Sequence, residues 1–314
     1  MGYLTKAVLG AVLLVFSTLP ATASTADFGP LISADALVAA EAEVKPLILD
    51  IRGDVVDDGR IPGAISVGYA DFRGPKENPG QLRTEEELTT LLRRLGIEAD
   101  RPVVIVYQGR NETDFGAAAR VYWTLKSSGV RALAILNGGM NAWTADADRP
   151  VVDTAATPIP STISVTFDTT WLATRDEVLG IVEGDSPVRL IDARPESFHK
   201  GEQAHPAAAR PGTLPQSEYF THSGWFTGGP AIIDAQAAQR LAATNGFKPG
   251  DALISFCNTG HWAATNWFAL SELAGIENVK LYPESLVGWS HAGLPMANTP
   301  GLITNLWNKI KQSL

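Results

Sequence analysis

Residues 251–275 read DALISFCNTGHWAATNWFALSELAG, and this stretch decides the fold because it carries a strand, a turn and a helix in succession. Residues 252–256 are a short continuous apolar run, the pattern of a strand buried on both faces. Ala263, Trp267, Leu270 and Ala274 then recur at helical spacing until Gly275. Between them, at the turn, stands the single cysteine of the chain, Cys257. A turn made of Cys257, Asn258, Thr259, Gly260, His261 and Trp262 can aim successive backbone N–H groups inward. The helix that follows adds its unpaired donors and the positive end of its dipole. The expectation is a cradle that lowers the thiol pKa and holds an anionic group on, or approaching, the sulfur. A lone cysteine is equally read as a small buried apolar residue, and the turn by itself leaves both readings open.

Outward from this stretch the same alternation continues. Residues 46–52, PLILDIR, form a buried strand ending in an acid and a base, and residues 60–67, RIPGAISV, lead through a Pro-Gly loop into a second strand. Residues 84–95 predict a helix with Thr84 as N-cap and Glu87 three positions on. A strand at 103–107, a helix to Gly129, a strand at 132–136 and NGGMNAW at 137–143 complete the first half. Strands alternating with helices predict a largely parallel sheet.

The second half repeats this order. VRLIDAR at 188–194 answers PLILDIR, RPGTL at 210–214 answers RIPGAI, 252–256 answers 103–107, 271–275 answers 125–129, and 282–289 answers 136–143. A tandem duplication is the economical explanation. The expected fold class is therefore α/β with two tandem domains, each a mainly parallel sheet flanked by helices. Residues 24–150 form the first domain and 165–298 the second, joined by a Pro-, Thr-, Ala- and Ser-rich linker at 151–164. In this alignment Gln108 falls opposite Cys257, and the first copy holds about three extra residues in the loop 108–115. The first domain is thus expected to lack the nucleophile and to act as a structural or docking partner.

Composition bounds the rest. At 314 residues with 45% hydrophobic content the chain is globular, and a net charge of -9 without a Lys or Arg run excludes a nucleic-acid partner. Lys6, the apolar run 7–19 and the Ala21-Thr22-Ala23 site predict a signal peptide at 1–23, and with it a periplasmic or secreted protein. That run is shorter than the roughly 20 residues of a spanning helix, so no integral membrane span is expected. One cysteine makes no internal disulfide, and an unpaired thiol in an oxidising compartment favours use over neglect. Five His and one Cys show no zinc-type spacing, and Gly138-Gly139 is no phosphate fingerprint, so neither metal nor cofactor is expected. Residues 299–314 read as an amphipathic tail, with Leu302, Ile303, Leu306, Trp307 and Ile310 on one side and Lys309 and Lys311 nearby. The tail is expected to pack back on its domain rather than meet a membrane.

With these landmarks in place the chain resembles the tandem-domain rhodanese family of sulfurtransferases. The resemblance rests on Asp50-Ile-Arg52 and Asp192-Ala-Arg194, the Pro-Gly loops at Pro62 and Pro211, Asn137-Gly-Gly-x-x-x-Trp143 and the Cys257 loop. It implies that Cys257 is the catalytic nucleophile, that Asn258, Thr259, Gly260, His261 and Trp262 form the substrate-binding loop, and that Asp192, Arg194 and Arg210 support it. It further implies a small sulfur-containing anion such as thiosulfate as donor, and cyanide, a thiol or a sulfur-accepting protein as acceptor. One departure stands out. Thiosulfate-directed relatives carry a second basic residue where this chain has Phe198, and the loop itself holds no Lys or Arg. That leaves a persulfide or protein-bound sulfur as an alternative donor, and His261, His199, Lys200 and Arg210 as candidate polar contacts. Trp262 is the tryptophan expected to line the crevice, with Trp225, Trp267 and Trp289 in the core.

Two rival readings accompany this one. Cys-dependent phosphatases and arsenate reductases use a similar turn but need Cys-x5-Arg, and the residue six beyond Cys257 is Ala263. A non-turnover sulfur carrier or protein-binding module of the same fold remains open.

Overall fold

The computed structural model describes residues 28–313, so the segment read as a signal peptide lies outside the described residues. The first half runs β1 (Leu31–Ile32), α1 (Ala34–Glu43), β2 (Leu47–Asp50), β3 (Ile65–Ser66), α2 (Glu85–Arg94), β4 (Val103–Val106), α3 (Glu112–Ser127), β5 (Leu133–Leu136) and α4 (Gly139–Thr144). The second runs α5 (Arg175–Glu183), β6 (Arg189–Asp192), α6 (Glu196–His199), β7 (Glu218–Tyr219), α7 (Ala235–Thr244), β8 (Leu253–Phe256), α8 (Trp262–Trp267), β9 (Val279–Leu281), α9 (Ser285–His291) and α10 (Leu302–Ser313). Strands β2, β4, β5 and β8 are buried along their whole length, which is why they read as near-continuous apolar runs, interrupted only by Asp50 and Ser255. Helix α2 starts where its capping box requires, with Thr84 and Glu87 satisfying each other's backbone N–H.

Both sheets are parallel throughout. Their strand orders are β1-β5-β4-β2-β3 and β7-β6-β8-β9. Apart from the extra edge strand β1, the two orders are the same, so the duplication is one of topology as well as of sequence. The domains share one apolar core, in which Phe115 and Tyr122 of α3 meet Phe268 at ring-centroid distances of 5.4 and 5.0 Å. Between the domains, Lys126 pairs with Glu272 at 2.8 Å.

Register corrects the sequence alignment by one residue. Asp50 pairs with Val106 and Asp192 with Phe256, so the counterpart of Cys257 is Tyr107, and Gln108 answers Asn258. The following contacts agree: the N–H of Met140 reaches the Tyr107 carbonyl and that of Leu286 the Cys257 carbonyl, while Asn141 and Val287 do the same for Gln108 and Asn258. The extra length of the first copy does not lie in its loop either. Residues 107–111 and 257–261 connect strand to helix in the two domains, and the difference lies in the helices. α3 is a continuous α-helix of 16 residues, whereas α8 passes after Trp267 into a π-helical turn at Phe268–Leu273. A gap in an apolar helix is invisible to a hydrophobic pattern, so counting placed it in the nearest loop.

Residues 151–164 run extended along the first domain, with Val152 and Arg60 exchanging backbone hydrogen bonds at 2.8 and 2.9 Å. The tail departs from expectation. Its helix, α10, does not pack its apolar side back on the domain: Leu302, Ile303, Leu306 and Trp307 are all exposed.

Candidate active site

Cys257 directly follows β8, 1% exposed. Its own N–H is not free for an anion, because Ser285 Oγ accepts it at 3.0 Å while donating to the Tyr282 carbonyl at 2.7 Å. The next four N–H groups, of Asn258, Thr259, Gly260 and His261, meet no acceptor among the described residues. Their carbonyls, by contrast, are engaged. Asn258 accepts from Val287 at 2.9 Å, Thr259 from Arg73 Nη2 at 2.8 Å, and Gly260 from Arg120 Nη1 at 3.4 Å. With the carbonyls held in this way, the four amides are left without acceptors, which is the condition an anion cradle requires. Gly260 needs to be glycine, since φ is +69° and a Cβ there would meet Arg120 and the Pro283 carbonyl.

The two arginines are the residues that sequence reasoning missed. Arg73 follows the 3-10 helix Tyr69–Phe72, and Arg120 sits within α3, both buried and both from the first domain. Arg120 donates its remaining Nη2 to the Gly80 carbonyl at 3.1 Å, and its Nε has no partner. Neither guanidinium pairs with a carboxylate among the described residues. Burial, together with the neighbouring Arg73, pushes the Arg120 pKa down to about 9. A buried cation without a counter-ion is costly, and an anion bound beside the loop would supply one. The signal was present in the sequence as a single arginine inside the apolar run GAAARVYWTL.

His261 does not supply the charge. Its ring turns into the first domain, where Nε2 donates to the Thr113 carbonyl at 2.8 Å and Nδ1 accepts from the Tyr69 hydroxyl at 3.0 Å. Tyr69 in turn accepts from Arg73. Burial first, and Arg73 second, push the His261 pKa down to about 3, so the imidazole is neutral at pH 7. The chain Arg73, Tyr69, His261, Thr113 is therefore a clamp that fixes the loop against the first domain. Trp262 stacks flat on His222 at 4.8 Å and 9° and meets Phe198 edge-on at 6.0 Å, only half-buried, whereas Trp225, Trp267 and Trp289 are buried in the core.

Asp192 and Arg194 support the loop as expected. Both are buried, paired at 2.7 and 2.8 Å, and Arg194 Nη1 reaches Asn258 Oδ1 at 3.3 Å. Despite its desolvation, Asp192 is pulled down to about 2 by Arg194, His199 and Thr213. Arg210 is corrected. It bonds to Met296 Sδ and the Leu294 carbonyl, so it fixes the segment after α9 rather than the Cys257 loop. Its counterpart Arg60 does reach Asp50, at 2.8 Å, but in the second domain Thr213 takes that place at 2.7 Å. Of the other basic candidates, Lys200 pairs with Glu196 at the surface and His199 with Asp192 at 3.2 Å. Phe198 lies under the Arg194 guanidinium at 5.8 Å.

The model of the rhodanese-like domain matches residues 33–146 and again 174–292. The chain belongs to the rhodanese family. It is 27% identical over 268 residues to the sulfur carrier protein TtuD of Thermus thermophilus, covering 81% of this chain and 91% of that one. A Haloferax volcanii protein provisionally named thiosulfate sulfurtransferase is 29% identical over 259 residues, or 79% and 86% of the two chains. Among solved structures, EanB in complex with ergothioneine superposes with a TM-score of 0.75 at 20% identity, over 87% of this chain and 70% of that one, which shows the shared fold. As a rhodanese with two copies of the domain, the chain carries its one cysteine in the second copy only.

Proposed function

We propose that this rhodanese is a sulfurtransferase that carries sulfane sulfur from a small anionic donor such as thiosulfate to cyanide or a thiol through a persulfide on Cys257. The observation that carries the reading is the row of four unpartnered amides after Cys257, backed by the buried, uncompensated Arg73 and Arg120. In the first half-reaction the Cys257 thiolate attacks the outer sulfur of thiosulfate. The S–S bond breaks, and sulfite leaves with the bonding pair. In the second, the acceptor attacks the outer sulfur of the persulfide, and Cys257 departs as thiolate, so neither oxidant nor reductant is consumed. Each intermediate places negative charge where the amides and the two guanidiniums lie. The absence of a basic side chain in the loop is thereby met by the other domain.

A carrier function, in which Cys257 passes sulfur once to a protein rather than turning over, is favoured by the similarity to TtuD. Steady-state thiocyanate formation from thiosulfate and cyanide separates the two. Multiple turnovers lost completely in Cys257→Ser support the enzyme; single loading without turnover supports the carrier; and turnover at the parent rate in Cys257→Ser ends both readings.

A further inference from the structure

Helix α10 presents an inverted amphipathic pattern. Leu302, Ile303, Leu306 and Trp307 are 91, 78, 62 and 60% exposed. On its opposite side Thr304 and Asn308, with Lys311 at the border four residues beyond Trp307, line a cleft of about 780 Å³ shared with Ser197, Lys200 and Gln203 of the second domain. Asn305 lines a second cleft with His205 and Arg210. A helix docked on its own domain would turn these faces the other way, because an aliphatic side chain left in water forgoes the gain of burial. The polar face thus rests toward the protein, and the apolar face looks outward.

The charge of the segment limits what can cover that face. Residues 302–314 contain Lys309 and Lys311 and no acid, on a chain whose net charge is -9. A second copy would bring like charges together along the two helices, whereas an anionic lipid surface complements them. Trp307 adds an amphipathic ring of the kind that settles at the headgroup level. We propose that α10 lies in the plane of an anionic lipid surface, with Leu302, Ile303, Leu306 and Trp307 inserted at the headgroup boundary. The attachment is peripheral and reversible. No helix among the described residues is long and apolar enough to cross a membrane, and lysines near an anionic surface add electrostatic attraction to the apolar contact.

Flotation of the full chain with phosphatidylcholine vesicles, with and without phosphatidylglycerol, tests this. The parent should float with the phosphatidylglycerol vesicles and lose much of that binding in high salt. The double variant Leu306→Asp/Trp307→Asp should bind at least about tenfold less, and Lys309→Gln/Lys311→Gln about tenfold less on anionic vesicles only. Both variants keep the N-terminal residues of the parent, so an apolar run there contributes equally to all three. Unchanged circular dichroism and thermal unfolding show that the variants remain folded. A parent that stays with the soluble fraction, or a Leu306→Asp/Trp307→Asp variant that floats like the parent, overturns the proposal. So does a parent dimer that the double variant converts to monomer, which would assign the face to a second copy.

Discussion

The loops 107–111 and 257–261 occupy the same place in two copies of one fold, and they differ in what fills the end of the strand. In the second, Cys257 is followed by four amides without an acceptor among the described residues. In the first, Tyr107 takes that position, donating to the Pro230 carbonyl at 2.9 Å and accepting from the N–H of Gly138 at 3.2 Å. The supports around both loops are alike. Arg52 reaches Gln108 at 3.0 Å as Arg194 reaches Asn258 at 3.3 Å, and each arginine pairs with the aspartate two residues before it. The two copies share the scaffold and differ in the residue at the strand end, tyrosine in one and cysteine in the other. What the first domain retains is a new task, since Tyr69, Arg73, Thr113 and Arg120 hold the loop of the second.

The comparison can be broken first at the supports. Arg194→Ala leaves Asp192 buried with Thr213, His199 and the backbone N–H of residue 194 but no full positive charge, so a loss of about 3–5 kcal/mol in urea-unfolding stability is expected. Arg52→Ala should cost less, about 1–3 kcal/mol, because Asp50 keeps Arg60 at 2.8 Å. Equal losses would mean that Arg60 does not compensate. Next comes the contribution of the first domain to the chemistry. Arg120→Met should slow persulfide formation by about 10- to 100-fold, the worth of a charge-assisted hydrogen bond. Stability should stay level or rise, since an uncompensated buried cation is removed. A parent-like rate would reduce Arg120 to a packing element.

A third effect lies in pH. His261 and His222 have pKa values pushed down to about 3 and about 4, so between those values and 6.5 the unfolded chain binds more protons than the folded one. Stability is therefore full above about pH 6.5 and falls as the pH drops, by at most roughly 1.4 kcal/mol per unit for each fully desolvated ring. The half-buried His261 contributes less than that limit. Urea titrations at pH 7 and pH 5 should show the loss, and His261→Gln should flatten the acid limb. A pH-independent stability over that range would contradict the clamp of neutral imidazoles. The smallest effect belongs to the first loop itself. Gln108→Ala should leave turnover within about twofold and cost about 1 kcal/mol for its bonds to Asp58 and Arg52.

Much of this was legible in the sequence because it rests on period and punctuation. The strands showed as apolar runs, the α2 start as Thr84 and Glu87, and the active turn as a cysteine between strand and helix. The one-residue error at Gln108 arose because both strands are buried at every position and show no alternation, so pattern cannot set register; only the pairing of Asp50 and Asp192 with their neighbours does. The clamp by Arg73 and Arg120 was hidden for another reason. These residues lie 186 and 140 positions from the carbonyls they hold, and no local rule links such distant partners. Arg210 misled because its repeat counterpart Arg60 does contact the aspartate, while Thr213 took over that role in the second copy.

The most direct measurement of the central claim is the intact mass of the purified chain after incubation with thiosulfate, followed by a cyanide chase. A gain of one sulfur is expected, mapped to the peptide carrying Cys257, removed by cyanide and missing in Cys257→Ser. No gain with any sulfane donor, or a gain that survives in Cys257→Ser, would contradict it.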